Sequence, residues 1–281
     1  MLRQRVITAV LLLLVLLPSL FYPSPEPFCA LTVVFIAAGA WEWSRLAGYR
    51  QGVSLAAGAV CAFACLAAWY GGFLNQRLLW LWAAAAAVWV LAGAWLLRGG
   101  SSAWLRLARP ARLGAGMLLL VVAWLALAQA RVIGINFLLS ILLLVWVADI
   151  FAYGAGRTWG GRIVTRKLAP SISPGKSWEG VAGGVAGVLV LAFGWYWADT
   201  ALHPLSRSLY GHLADTEWWL MALAAVGLAC MSVVGDLVES LVKRAASVKD
   251  SSALLPGHGG VLDRIDALLP TLPMAMLLYS L

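Results

Sequence analysis

Apolar residues run in long unbroken blocks along this chain, separated at near-regular intervals by short polar or Gly/Pro-containing breaks. Residues 6–17 and 78–97 are typical blocks. A membrane-crossing helix needs about 20 such residues, within a range of about 17–25. By that measure the pattern predicts spans over 6–22, 28–43, 53–74, 78–97, 113–130, 132–152, 180–198, 218–237 and 267–281. The second and last are short, which predicts a tilted helix or one packed inside protein. Only Arg131 interrupts the run between the fifth and sixth spans, so a tight turn is expected there. Strands of a membrane barrel would alternate apolar and polar residues about ten at a time. These blocks do not alternate. The predicted fold class is therefore all-α: a polytopic transmembrane helix bundle of about nine spans.

Composition agrees. Of 281 residues, 63% are hydrophobic and 11% charged, with a mean hydropathy of +0.88. A soluble domain carries roughly 25% charged residues, so lipid is the expected solvent for most of this surface. The net charge of +8 points to membrane topology rather than to nucleic acid. With the N-terminus inside, only Arg77, Arg131 and Arg207 of the 20 basic residues fall outside, as the positive-inside rule requires. Arg3 and Arg5 precede an apolar run with no small-residue cleavage site, so that run reads as a retained first span. Cys29, Cys61, Cys65 and Cys230 all lie within apolar runs and show neither metal-site nor disulfide spacing.

Acidic residues divide the chain. Residues 1–130 hold two, Glu26 and Glu42, with no evident chemistry; they read as a scaffold of helices offering dimer contacts. Residues 131–281 hold the other ten and two long inside segments, 153–179 and 238–266, and read as the catalytic part. The outside segment 199–217 carries Asp199, His203, His212, Asp215 and Glu217 and reads as a solvated connector.

The segment after span eight concentrates chemistry. If its helix continues, Asp236, Glu239 and Lys243 share one face. Lys249 and Asp250 then lead to Pro256-Gly257-His258-Gly259-Gly260-Val261-Leu262-Asp263-Arg264-Ile265-Asp266. Glycines around a histidine make a loop whose N–H groups can close round an anion. Asp236, Asp263 and Asp266 are hard oxygen ligands of the kind magnesium shares with phosphate. Lys243, Arg244, Lys249 and Arg264 supply cations for phosphate. His258 is a phosphate donor, an acid–base group or a loop-ordering residue, and the sequence does not choose. His203 and His212 lie on the other side, which excludes a multi-histidine zinc site.

The second segment runs from Asp149 to Gly180. Its Ser173-Pro174-Gly175-Lys176-Ser177-Trp178-Glu179-Gly180 is a turn opening into a helix. It is not a P-loop, because Pro170 stands where that motif's first glycine belongs. Helix N-terminal N–H groups with Ser173, Lys176 and Ser177 would attract phosphate; Glu179 either caps the helix or reacts. Gly180, Gly183, Gly184 and Gly187 predict close helix packing beyond it.

The stretch Ser240-Leu241-Val242-Lys243-Arg244, four residues, Lys249-Asp250 and then the run from Pro256 to Asp266 resembles, without mismatch, the signature of the phosphatidate cytidylyltransferases (CDP-diacylglycerol synthases). The 173–180 turn resembles that family's second motif, in which Thr is usual where this chain has Ser177. The 149–157 stretch is similar as well. The resemblance covers about the last half of the chain. It implies transfer of a cytidylyl group from CTP to phosphatidate, with Mg²⁺ and room for a second, monovalent cation such as K⁺. It further implies a homodimer in a bacterial inner membrane, with the site facing the cytoplasm. Carried onto this sequence, Asp236, Asp263 and Asp266 would hold metal. Lys243, Arg244, Lys249, Asp250, His258 and Arg264 would act at the phosphates, and Asp149, Ser173, Lys176, Ser177, Glu179, Gly259 and Gly260 would bind substrate.

Two other readings compete. Another membrane phosphotransferase is one, although the Asp-x-x-Asp-Gly pattern of the CDP-alcohol phosphatidyltransferases is absent. A transporter for an anionic solute is the other, although charges here gather at one face rather than at the midplane.

Overall fold

A computed structural model describes residues 2–281, apart from the side chains of residues 2, 3 and 5. Arg3 and Arg5, used above for topology, thus lie outside the described side chains. Every apolar block is helical, as it must be where lipid offers no partner for backbone groups, and no strand forms among the described residues. In chain order the helices are α1 (Leu2–Phe21), α2 (Glu26–Leu46), α3 (Gln51–Tyr70), α4 (Leu79–Arg106), α5 (Arg109–Ile133), α6 (Ile135–Trp159), α7 (Trp178–Leu202), α8 (Leu209–Thr216), α9 (Trp218–Ala245), α10 (Leu262–Ile265) and α11 (Leu268–Ser280). Seven of them are long and apolar enough to cross a membrane, and α1 adds the shorter apolar stretch Val6–Phe21. The last block, α11, spans 13 residues, or about 20 Å at 1.5 Å per residue, against a hydrocarbon core of about 30 Å. It is packed inside protein, with Leu269, Leu272, Ala275 and Met276 buried against α4, α5 and α9.

Three boundaries differ from the hydropathy reading. The break between α5 and α6 falls at Gly134, whose backbone leaves the helix at φ 157°, and a Cβ there would overlap Ser206. Arg131 instead stays inside α5, buried, and donates to the carbonyls of Leu20 and Tyr22 at 3.0 and 2.5 Å, the orphan acceptors at the end of α1. The helices outrun the apolar blocks, since α6 runs to Trp159 and α9 to Ala245, and the latter keeps Asp236, Glu239 and Lys243 on one helix as the sequence allowed. The 199–217 segment is not a solvated connector. Asp199 is buried and accepts from the Ser208 N–H and hydroxyl at 2.9 and 2.5 Å and from Asn136 at 2.9 Å, which seats α8 with Leu209 and Tyr210 fully buried. A buried carboxylate needs such donors, and here they come from Ser208 nearby and Asn136 on α6 rather than from cations.

Contacts sort the connecting segments to two ends of the bundle. At one end Gln129 donates to Phe73 and Gln76, Arg77 to Ser280, and Asn136 to Ser206. At the other, Trp43 donates to the carbonyl of Arg112, and both chemistry-bearing segments meet. The predicted glycine seam is present. A Cβ on Gly183 would overlap Ala155, so α7 lies directly against α6.

Candidate active site

The loop between α9 and α10 is wound around carboxylates of its own chain. Gly257 and Gly259 take positive φ of 78° and 83°, which glycine adopts at no steric cost. They let Leu255 donate to the Gly259 carbonyl and His258 to the Leu255 carbonyl, both at 2.8 Å. Asp263 Oδ2 then accepts the Gly260 N–H at 2.8 Å and both the N–H and hydroxyl of Ser251 at 2.9 Å. Its Oδ1 receives Lys243 Nζ at 2.5 Å. Burial pushes the Asp263 carboxyl up, but the Lys243 ammonium and the Gly260 and Ser251 N–H groups outweigh it and hold the group below its ordinary value.

Lys243 is not free to meet a phosphate. Its ammonium also sits 2.5 Å from Glu239 Oε2, and the three side chains are 12%, 1% and 6% exposed for Lys243, Glu239 and Asp263. One cation thus holds two buried carboxylates together. Gly260 likewise has its N–H committed to Asp263. The loop therefore encloses internal anions, and Asp263 orders it.

A residue from the first half of the chain completes this structure. Glu42, fully buried on α2, accepts the N–H groups of Val261 and Leu262 at 2.9 and 2.7 Å and the hydroxyls of Ser252 and Ser251 at 2.5 and 3.1 Å. A Cβ on Gly260 would overlap both Glu42 Oε1 and Ser251 Oγ. The sequence reading passed Glu42 over. The available signal was its setting, since an ionisable residue within an apolar span is costly unless used or partnered.

The second segment folds into a hairpin-like turn, with Ser173 donating to the Ala169 carbonyl at 2.8 Å and Leu168 to that of Lys176 at 3.3 Å. Ser177 caps α7 by accepting the Gly180 N–H at 3.1 Å. Glu179 Oε1 accepts the N–H groups of Gly161, Ile163 and Val164 at 3.1, 3.0 and 2.8 Å, so it anchors the preceding turn instead of facing substrate. Lys176 Nζ reaches Asp236 Oδ2 at 2.5 Å. Arg244 ties the same two segments from the other side, donating to the Ile172 carbonyl at 3.3 Å and to that of Val248 at 3.1 Å.

Asp149, Lys176, Ser177 and Asp236 line one cavity of about 460 Å³ between α6, α7 and α9, together with Tyr153 and Arg157, which the sequence reading did not single out. Its deeper wall is apolar, formed by Val181, Val185, Ala229 and Val233. A polar mouth over an apolar floor suits an amphiphile. Ser173 is half-buried beside this cavity and does not line it. Lys249, Asp250 and Arg264 stand exposed, Arg264 donating to the His258 carbonyl at 2.7 Å. The His258 ring is partly buried, with Nδ1 lacking a partner.

Among the described residues, no three His, Cys, Asp or Glu side chains converge on a metal position. Magnesium asks less of a protein, since one or two carboxylates plus substrate phosphates suffice. Asp236 and Asp266 fit that demand. Burial, and then the Asp236 carboxylate, push Asp266 up to about 7, the signature of two carboxylates sharing a site without enough cation. Asp263, its oxygens taken by four donors, fits it poorly.

Comparison with known proteins decides the family. A sequence profile described as the cytidylyltransferase family matches residues 3–281. The chain is 40% identical to a phosphatidate cytidylyltransferase of Pseudomonas aeruginosa over 289 residues, covering 100% of this chain and 98% of that one. A protein of the same name from Haemophilus influenzae is 35% identical over 303 residues, covering 99% of each.

The chain belongs to the cytidylyltransferase family.

As a cytidylyltransferase it is a nucleotide-transferring enzyme, which removes the transporter reading. A third relative, a phosphatidate cytidylyltransferase of Brucella abortus, is 42% identical over 146 residues, or 52% of this chain and 46% of that one. The cavity gathers in one place the cations Lys176 and Arg157, the carboxylates Asp149 and Asp236, and an apolar wall.

Proposed function

We propose that this protein transfers the cytidylyl group of CTP to phosphatidate, giving CDP-diacylglycerol and pyrophosphate. The observation that carries the reading is the Lys176–Asp236 pair, which brings the two chemistry-bearing segments together over a cavity with a polar mouth and an apolar floor. Support also comes from the name shared by two relatives that match almost the whole chain.

A phosphate oxygen of phosphatidate attacks the α-phosphorus of CTP. The new P–O bond forms as the bond from that phosphorus to the β-phosphate bridging oxygen breaks, and pyrophosphate leaves with the electron pair. A phosphate monoester has a second pKa near 6, so the attacking oxygen is ionised at neutral pH and no side chain need remove a proton. The difficulty is to bring two polyanions into line. Lys176, Arg157 and the first N–H groups of α7 offset that charge, and the Ser177 hydroxyl, which accepts from Gly180, is free to donate toward a phosphate. Lys176 and Asp236 neutralise each other in the free protein. A phosphate that takes Lys176 leaves Asp236 as a bare carboxylate beside Asp266. These two would hold Mg²⁺, which supplies charge neutralisation of the triphosphate when bound.

The basic residues gather at the end of the bundle that carries the site, and the positive-inside rule assigns that end to the cytoplasmic side of a bacterial inner membrane. The homodimer expected from the resemblance belongs to the same reading. The test is direct. Purified protein receives CTP labelled at the α-phosphate, with and without phosphatidate. Label passing into organic-soluble lipid, matched by pyrophosphate and dependent on phosphatidate, supports the proposal. Turnover only with a CDP-lipid contradicts it.

A further inference from the structure

The loop carrying Asp263 is held mostly by its own neighbours in the chain. Lys243, Ser251, Gly260 and Arg264 all bond within residues 243–264. Lys243 on α9, and Thr8 on α1, which donates to the Pro256 carbonyl at 2.9 Å, each fasten the loop to a bundle helix. Glu42 fastens it with the most bonds. It reaches from α2 with four donors at 2.5–3.1 Å, no part of it exposed. Gly39, one turn earlier on the same face of α2, lets Leu262 and Ile265 of α10 lie against that helix.

Two of the four donors are the N–H groups of Val261 and Leu262, at the start of α10. That single turn delivers Asp263 to Lys243 and Asp266 toward Asp236. A shift at Leu262 is carried to Asp266 four residues on, because helical residues move together. Misplacing a reacting group by about 1 Å can cost on the order of 100-fold in rate.

We infer that Glu42 is a positioning residue, which sets where the glycine-rich loop and the Asp263–Asp266 turn sit relative to Asp236 and so couples the N-terminal helices to catalysis. Glu42 touches no substrate. It acts through the N–H groups of Val261 and Leu262, which only an acceptor on both branches can satisfy together. Glutamine has the same shape but carries one donor branch, which would face an N–H group. The inference rests on the cytidylyl-transfer reading, and turnover of CTP with phosphatidate by the unaltered protein tests that reading separately.

The experiment compares Glu42→Gln and Ser252→Ala with the unaltered protein by two readouts. The first is steady-state kinetics. The second is the rate at which a water-soluble maleimide labels Val261→Cys, a position 4% exposed behind Glu42, with Cys230 replaced by Ser. For Glu42→Gln the expected result is a fall in kcat of about 10- to 100-fold, with KM for CTP changed far less. Labelling at position 261 should rise at least about tenfold as the loop is released. Ser252→Ala removes the hydroxyl at 2.5 Å and leaves the charge; it should lower kcat by about 3- to 10-fold, with a smaller rise in labelling. An unchanged kcat for Glu42→Gln, or a fall in kcat with position 261 still protected, overturns the inference. If Glu42→Gln does not yield inserted protein, Ser252→Ala decides alone, and no change in its two readouts overturns it equally.

Discussion

Replacing Lys243 by Met keeps the length of the side chain and removes the ammonium that holds Glu239 and Asp263. Both carboxylates lie 2.5 Å from Nζ and are 1% and 6% exposed. At an effective dielectric constant of about 20, the Lys243–Asp263 pair is worth roughly 6–7 kcal/mol of gross attraction. Desolvation of the two charges opposes this, and burial pushes Glu239 up to about 9, so at pH 7 it is mostly protonated and adds little. The orphaned Asp263 carboxyl can also escape by taking up a proton, which at pH 7 costs about 4 kcal/mol for a group of ordinary pKa. That escape caps the loss, and about 3–5 kcal/mol is the expected destabilisation. For a chain of this size it corresponds to a fall of roughly 6–20 °C in unfolding midpoint. Glu239→Gln added to Lys243→Met should cost nothing further, because Glu239 is already mostly neutral at pH 7 and an amide needs no cation. The assay is loss of the monodisperse species on heating in detergent at pH 7. A Lys243→Met protein that unfolds within about 1 °C of the unaltered one would refute the reasoning, and so would a double variant less stable than the single one.

Three further outcomes follow from the site. Lys176→Ala should raise the KM for CTP by about tenfold or more, whereas Cys61→Ala, in the packed interior, should leave it near its original value; steady-state kinetics on both variants checks this. Asp263→Asn should abolish measurable turnover while the protein remains inserted and monodisperse, because the amide turns a donor toward Lys243 and loosens the loop. The pH dependence of Asp263 has a fixed sign. Its folded pKa lies below the ordinary 3.8, so the stability it lends is fully present above that value and is lost as pH falls through the lowered one. The unfolding midpoint of the unaltered protein in detergent should therefore hold at pH 5 and fall only under stronger acid, while that of Asp263→Asn should already be lower at pH 5 and change less below it.

The fold was largely legible in the sequence because lipid imposes one rule on every span. Apolar block length gave all nine hydrophobic helices, and Gly180 to Gly187 gave the α6–α7 seam. The misplaced boundaries have a common cause. Polar residues at the ends of α6 and α9 remain helical because helix-forming preference, not hydropathy, decides where a helix stops. Arg131 was read as a break, whereas its guanidinium found the carbonyls closing α1. Lys176 and Asp236, which the resemblance assigns to substrate and to metal, line one cavity. Asp263, Lys243 and Glu179 take ligand-facing roles from their chemistry and from the family resemblance, Glu179 with capping as its alternative, and in this structure each is bonded within the chain. Spacing along a chain shows which groups can meet, not which will already be satisfied. Glu42 is the converse case. Its partners lie more than 200 residues away, beyond the reach of any local pattern.

The central claim is that one nucleotide is gripped by both segments at the basic end of the bundle. An experimental structure in lipid nanodiscs with CTP and Mg²⁺ tests it most directly. The account predicts the triphosphate in the cavity between α6, α7 and α9, with Lys176 turned from Asp236 onto a phosphate and Asp236 beside the metal. Nucleotide bound at the opposite end of the bundle, or touching neither Lys176 nor the Asp236–Asp266 region, would contradict it.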